Sequence, residues 1–199
     1  VWIGLDNYKR LFSDENFMNA LLNTLKYAIV QVPIILVIAL VFAILISGSK
    51  KSKWIDFYRS SIFLPYVLPG VAIALLWATI FNPITGLLNI VLESAGLGSL
   101  TREWLGDADT AFWAIVWVKT WSSVGFYTIL LIAGISNIPK DVLEAADIDG
   151  ATRWQKSIRI VIPMLRPVVK VVVIFLMLNG LKMFEEPQLM TGGGPNRGT

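Results

Sequence analysis

Residues 21–46 read LLNTLKYAIVQVPIILVIALVFAILI, with one charged side chain, Lys26, near the start. A bilayer-spanning helix needs ~20 predominantly apolar residues, whereas a spanning strand needs only about 9–11. A stretch this long and apolar is therefore read as a transmembrane helix, in which every backbone amide is satisfied within the segment. Working outward, similar stretches occupy residues 62–81, 112–135 and 168–184, giving four expected spans. Pro33, Pro65 and Pro69 lie within or at the start of spans, where neighbouring helices and water satisfy the carbonyls a proline frees.

Composition agrees. The chain is 55% hydrophobic and 16% charged, with a mean hydropathy of +0.65, against about 25% charged residues in a soluble domain. The expected fold class is all-α integral membrane, one polytopic transmembrane domain over residues 1–199. The net charge is +3, and the basic residues lie in loops without interleaved aromatics, which argues against nucleic-acid binding. Cysteine is absent, so there is no disulfide framework or thiol chemistry. Histidine is absent too, which removes the commonest metal ligand and general base. No catalytic or metal site is expected.

Lysine and arginine set the orientation. Lys50, Lys51, Lys53 and Arg59 follow the first span; Lys140, Arg153, Lys156, Arg159, Arg166 and Lys170 follow the third. Between them, residues 82–111 hold Arg102 against Glu93, Glu103, Asp107 and Asp109. The two basic loops are therefore cytoplasmic and both chain ends face outward. An earlier span is expected before Val1. Trp2, Trp54, Trp104 and Trp113 sit near span ends, where indole rings favour the lipid headgroups.

The cytoplasmic loop 138–167 carries more than a connection needs. Pro139-Lys140-Asp141 is a helix-start signal, and Ala145 and Ala146 give the helix a small-residue patch with Glu144 at its edge. Gly150 breaks that helix or supplies a positive φ. A second helix, 151–161, places Trp154, Ile158 and Ile160 on one apolar face, and Pro163 is expected to end it. The outcome is a helix–turn–helix along the inner membrane surface. It is either a docking surface or an amphipathic loop packed only on its own bundle.

The order Glu144-Ala145-Ala146, three residues, Gly150, nine residues, Ile160, one residue, Ile162-Pro163 resembles the EAA motif of binding-protein-dependent ABC importer permeases. Ile162 departs from the motif's Leu. More of the chain is similar to the maltose and glycerol-phosphate type of carbohydrate permease: GLDNYKRLF (4–12), ALLNTL (20–25), FLPYVLPGVAIALLW (63–77), FNPITGLLN (81–89) and TGGGP (191–195). The resemblance implies the type I ABC importer permease core, here without its first and last spans, in a bacterial or archaeal cytoplasmic (inner) membrane. It implies an ATP-driven importer that moves a sugar by alternating access. The implied partners are a cytoplasmic ABC ATPase dimer, a second permease subunit that is expected to be a different chain, an extracytoplasmic solute-binding protein and membrane lipid. No cofactor is expected on this chain; ATP-Mg belongs to the ATPase subunits. GGPNRGT (193–199) lacks the Lys of a phosphate-binding loop and is rejected as one.

Residue by residue, the resemblance puts Glu144, Ala145, Ala146, Gly150, Ile160 and Pro163 in the ATPase-coupling loop, with Ala145 and Ala146 entering a cleft on the ATPase. It puts Lys119, Ser123, Phe126, Gly180, Lys182 and Met183 on the substrate path. Ionisable groups within spans are costly and usually face a cavity. Two such lysines depart from the family's polar-neutral and aromatic pattern. Either they pair with Glu185 and Glu186, or they contact an anionic sugar. Lys26, nearer a span end, can snorkel outward. TGGGP is either a contact for an external partner or a plain turn. Permeases for amino acids, peptides or phosphate remain the alternative class; a channel or an intramembrane enzyme lacks the filter or the polar cluster it would require.

Overall fold

The computed structural model describes residues 4–48 and 52–194; Trp2, Lys50, Lys51 and residues 195–199, including Pro195 of TGGGP, lie outside them. The regular structure of the described residues is helical, without strands: α1 Asp6–Ser13, α2 Glu15–Ser47, α3 Lys53–Val67, α4 Gly70–Ile80, α5 Leu87–Ser94, a 3-10 turn Gly98–Leu100, α6 Ala108–Ser136, α7 Lys140–Ile148, α8 Arg153–Lys156, a π-helix Ser157–Val161, α9 Ile162–Met164, α10 Arg166–Leu181 and α11 Glu185–Thr191. Three helical stretches are long and apolar enough to cross a membrane, four if α3 and α4 count as one interrupted span.

That interruption corrects the reading of 62–81 as a single helix. Leu68 precedes Pro69 and takes extended angles, φ −71° and ψ 142°. Clash between a proline ring and the preceding residue disfavours helical angles there. Pro33, by contrast, is held inside α2. Helices α2 and α6 cover residues 21–46 and 112–135 and extend beyond them at both ends, while residues 168–184 fall largely in α10, which ends at Leu181 before α11 begins at Glu185.

Two compact units emerge, with boundaries inside α2, α6 and α10. One comprises Gln31–Leu68 and Thr120–Asn179. Its core joins Ile35, Ala39 and Ala43 of α2 to Val124, Tyr127 and Leu131 of α6 and to Val172 and Leu176 of α10. The four-residue spacing on α2 makes one buried stripe. Val37, Val41 and Leu45 of the same helix are exposed, as suits a face solvated by lipid tails rather than water. Within this unit the α6 backbone passes close to α3: a Cβ on Gly125 would fall on the Ile62 carbonyl. Small residues permit such contacts in membrane helices.

The other unit comprises Val1–Val30, Pro69–Lys119 and Gly180–Thr199. Here α11 packs on α4. Tyr27 stacks on Phe112 at 4.5 Å, and Lys26 lies over the same ring at 4.3 Å. Lys26 therefore finds a cation–π partner besides the outward route expected of it. Asn89 of α5 ties down residues 82–106. Its amide nitrogen donates to the carbonyls of Pro83 and Arg102, and its oxygen accepts from Trp104 Nε1 at 2.7 Å. Trp104 thus belongs to a loop network as well as lying near a span end.

Candidate functional site

The loop following α6 is a compact helix–turn–helix. Ile138 is buried beneath it, and α7 starts after Pro139. Asp141, Glu144, Ala145 and Ile148 are exposed on α7, Ile148 at 87%. Ala146 is not: it is only 7% exposed. Of the two alanines expected to form the protruding patch, Ala145 alone faces outward, because successive positions on a helix point about 100° apart.

The turn out of α7 is tightly determined. The amides of Asp149, Gly150 and Ala151 return to the carbonyls of Ala145, Asp147 and Ala146 at 2.9–3.1 Å. Gly150 sits at φ +73°, a conformation that glycine adopts without penalty. A Cβ there would meet open space, so the demand for glycine is conformational. Thr152 then opens α8 with a capping box: its hydroxyl accepts from the Gln155 amide, and the Gln155 side chain accepts from the Thr152 amide. Lys156 reaches back to pair with Asp147, joining α8 to α7. Trp154 is 73% exposed, and Ile158 is also exposed. The surface therefore offers acidic groups, a small residue and large apolar side chains together, which suits protein docking better than solvation.

Pro163 does not end this second helix as expected. Its ring opposes the carbonyl of the residue four positions back, Arg159, which lies in the π-helical turn. Widening the turn keeps the chain helical: the Ile162 amide bonds to the Ser157 carbonyl five residues back. Ile160 and Pro163 are both half-buried there. The helix then continues through α9, with one irregular residue at Leu165, into α10.

The other expected residues fall in both units. In the first-described unit, Ser123 is buried and Phe126 half-buried. Phe126 stacks on Tyr66 at 4.4 Å with ring planes 7° apart, and it meets Tyr127 edge-on. The Tyr127 hydroxyl accepts a hydrogen bond from the Asn179 amide at 2.9 Å. In the second unit, Lys119 of α6 pairs with Glu186 of α11 at 2.7 Å; the Glu186 side chain is 4% exposed and that of Lys119 25%. Gly180 is buried with Ala28 close by, Met183 is half-buried and Lys182 is exposed. Of the pairings weighed from sequence, Lys119 with Glu186 forms. Glu185 instead lies against Gly70, the first residue of α4, where a side chain on that glycine would collide with its carboxylate.

Sequence reading missed three features. The Asp147–Lys156 pair gave no signal because its members are nine positions apart across a turn. The Asn89 hub was visible only as one polar residue in an apolar helix. The contacts of Gly70 and Gly125 needed coordinates.

Residues 35–196 match a family described as the binding-protein-dependent transport system inner membrane component. The chain is similar to a probable ABC transporter permease of Bacillus subtilis, YurN, 39% identical over 99% of this chain and 68% of that protein. It is 37% identical to the diacetylchitobiose uptake system permease NgcF of Streptomyces coelicolor over 100% of this chain and 59% of that one. It is 33% identical to the trehalose/maltose transport system permease MalF of Thermococcus litoralis, over 100% and 66%. The chain thus spans about two thirds or less of the length of most of these relatives. A crystal structure of a bacterial ABC transporter involved in import of the acidic polysaccharide alginate superposes with a TM-score of 0.89, at 27% identity, covering 99% of this chain and 68% of that one.

Proposed function

This chain belongs to the binding-protein-dependent transport system inner membrane component family, and on that premise we propose that it is the permease subunit of an ATP-driven importer of carbohydrates. One observation supports the reading above others: the turn-locked loop 138–167 presents an acidic and apolar surface on the face that positive charge marks as cytoplasmic. Relatives named for diacetylchitobiose, trehalose/maltose and starch degradation products favour a sugar as cargo.

The chain does not hydrolyse ATP in this scheme. A cytoplasmic ATPase dimer engages Glu144, Ala145, Ile148 and Trp154. A second permease subunit completes the path, and an extracytoplasmic binding protein delivers the sugar in a bacterial or archaeal inner membrane. ATP and the loaded binding protein both favour the outward-facing state; each moves the equilibrium only by its difference in affinity for the two states. Gly150 and the Lys156–Asp147 pair keep α7 and α8 moving as one piece, and the helical connection from α8 to α10 carries that displacement into α10.

The test is co-purification of an ATPase subunit with the tagged chain, and its loss in a Gly150→Asp variant. The variant leaves membrane insertion intact, because the site is exposed and outside the spans. Uptake is expected to fall at least tenfold with ATP hydrolysis no longer stimulated by sugar. Unchanged uptake by Gly150→Asp would remove the loop from the coupling route.

A further inference from the structure

We infer that α1 is an interfacial helix lying on the outer surface of the membrane, with Leu5, Tyr8 and Phe12 set into the lipid at the boundary between headgroups and acyl chains. The inference stands on the placement of α2 in the bilayer and goes beyond the transport reading, since it holds whatever the cargo.

Helix α1 forms most of the stretch GLDNYKRLF (4–12), to which neither the coupling loop nor the expected substrate path gives a role. Its residues divide by face. Leu5, Tyr8 and Phe12 recur at spacings of three and four and share one side of the helix, with Leu11 at its edge. Asp6, Lys9, Arg10 and Ser13 occupy the other side. No residue of α1 is buried, and Leu5, Tyr8 and Phe12 are 60–68% exposed. The polar side is satisfied locally: Lys9 pairs with Asp6 at 3.5 Å, and the Ser13 hydroxyl donates to the Lys9 carbonyl. The apolar side is not. A helix of 8 residues is too short to persist in water on propensity alone, so it needs an apolar surface against which to fold.

Two observations make that surface lipid. The first is length. Helix α2 has 33 residues, about 50 Å at 1.5 Å per residue, against about 40–45 Å for a bilayer with its headgroups. Its two ends therefore reach the two headgroup layers, and α1 is joined to the outer end through the single residue Asp14. The second is direction. Asp14 is extended, at φ −83° and ψ 113°, and its carboxylate accepts from the amides of Asn16 and Phe17, opening α2. Across this corner Phe12 meets Phe17 edge-on, with ring centroids 6.1 Å apart. Phe17 lies further along α2 than the corner, on the membrane side, so the face of α1 that carries Phe12 is turned toward the bilayer. Aromatic and aliphatic side chains on one face, with Lys and Arg on the other, suit a helix lying in the plane of the interface, and tyrosine favours headgroup depth. Seated there, α1 fixes the depth of the outer end of α2.

The chain has no cysteine, so single-cysteine variants report one position each. Leu5→Cys, Tyr8→Cys and Phe12→Cys sample the apolar face, and Asp6→Cys and Arg10→Cys the polar one. Each is spin-labelled in the permease–ATPase complex, with the partner subunits' cysteines replaced, in nanodiscs of phosphatidylethanolamine and phosphatidylglycerol. Collision with oxygen, which concentrates in lipid, is compared with collision with a water-soluble nickel chelate. Oxygen should exceed nickel severalfold at 5, 8 and 12, and nickel should exceed oxygen at 6 and 10. Leu5→Cys and Tyr8→Cys keep the Phe12–Phe17 contact, so the result does not hang on a variant that loosens the corner. Nickel in excess at all five positions puts α1 in water and overturns the inference. Exclusion of both reagents from 5, 8 and 12 means that a protein, the binding protein or the second permease, covers this face, and overturns it too. Oxygen in excess at all five positions sinks the helix into the bilayer and equally refutes a surface position.

Discussion

Gly125 of α6 lies so close to the backbone carbonyl of Ile62 in α3 that a side chain at 125 has nowhere to go. The obstacle is main chain, which cannot rotate aside as a flexible side chain would. Overpacking a close contact typically costs about 1–3 kcal/mol. Gly125→Ala should lower the melting temperature of the detergent-solubilised chain by several degrees, and Gly125→Leu should prevent a monodisperse product. Thermal melting followed by size-exclusion chromatography reads both. A Gly125→Leu chain as stable as wild type would show that α3 and α6 do not meet at this point.

The Asp147–Lys156 pair makes a different kind of contribution. Asp147 has a side chain 60% exposed, and exposed ion pairs contribute only about 0–1 kcal/mol to stability. Global melting should therefore change little in Asp147→Asn or Lys156→Gln. Coupling is more sensitive, since the pair sets the angle between α7 and α8. Sugar uptake per ATP hydrolysed is expected to fall about threefold in each single variant, the factor that ~0.6 kcal/mol supplies. The charge-reversed double variant, Asp147→Lys with Lys156→Asp, should recover most of the loss. Equal ratios in all four chains would reduce the pair to a surface contact.

Tyr127 is buried in the first-described unit, with its hydroxyl held by Asn179. Tyr127→Phe removes the acceptor while keeping the ring, and it leaves the Asn179 amide with a lost partner. A net hydrogen bond contributes about 0.5–1.5 kcal/mol, so a fall of a few degrees in melting temperature is expected. Tyr127→Ala should cost more, about 3–5 kcal/mol on the scale of large-to-small core changes. The double variant Tyr127→Phe/Asn179→Leu should be more stable than Tyr127→Phe alone, because neither polar group is then left without its mate.

Apolar run length made the spans legible in sequence, since a bilayer imposes a length on its helices whatever their neighbours. The 138–167 loop was legible for another reason: Pro139 marks the start of its first helix and Gly150 the positive φ of its turn, although the Thr152–Gln155 capping box was not read from sequence. What remained hidden depended on distance through space. Residues 62–81 contain both Pro65 and Pro69, and nothing in composition says that the chain breaks at the second and stays helical through the first. Pro163 reads as a helix stop in any sequence; only the π-helical turn before it explains why the helix continues. Ala145 and Ala146 are equivalent as letters, yet one faces outward and the other inward. Lys119 could be matched with either glutamate until Gly70 was seen to hold Glu185.

Asn89 is a hub whose removal should loosen one loop without touching the spans. It is 6% exposed and holds Pro83, Arg102 and Trp104 at once. Asn89→Leu keeps the approximate volume and deletes all three bonds. Each buried polar group left unpaired costs about 1–3 kcal/mol, less where water can enter a surface loop. Amide exchange across residues 82–106 should quicken about tenfold or more, the equivalent of ~1.4 kcal/mol, while amides of α6 keep their wild-type protection. Asn89→Asp retains the acceptor for the Trp104 indole and loses both donors, so it should fall between the two. Hydrogen exchange read by mass spectrometry separates the three chains; uniform quickening that included α6 would mean that Asn89 supports the whole unit rather than its outer loop.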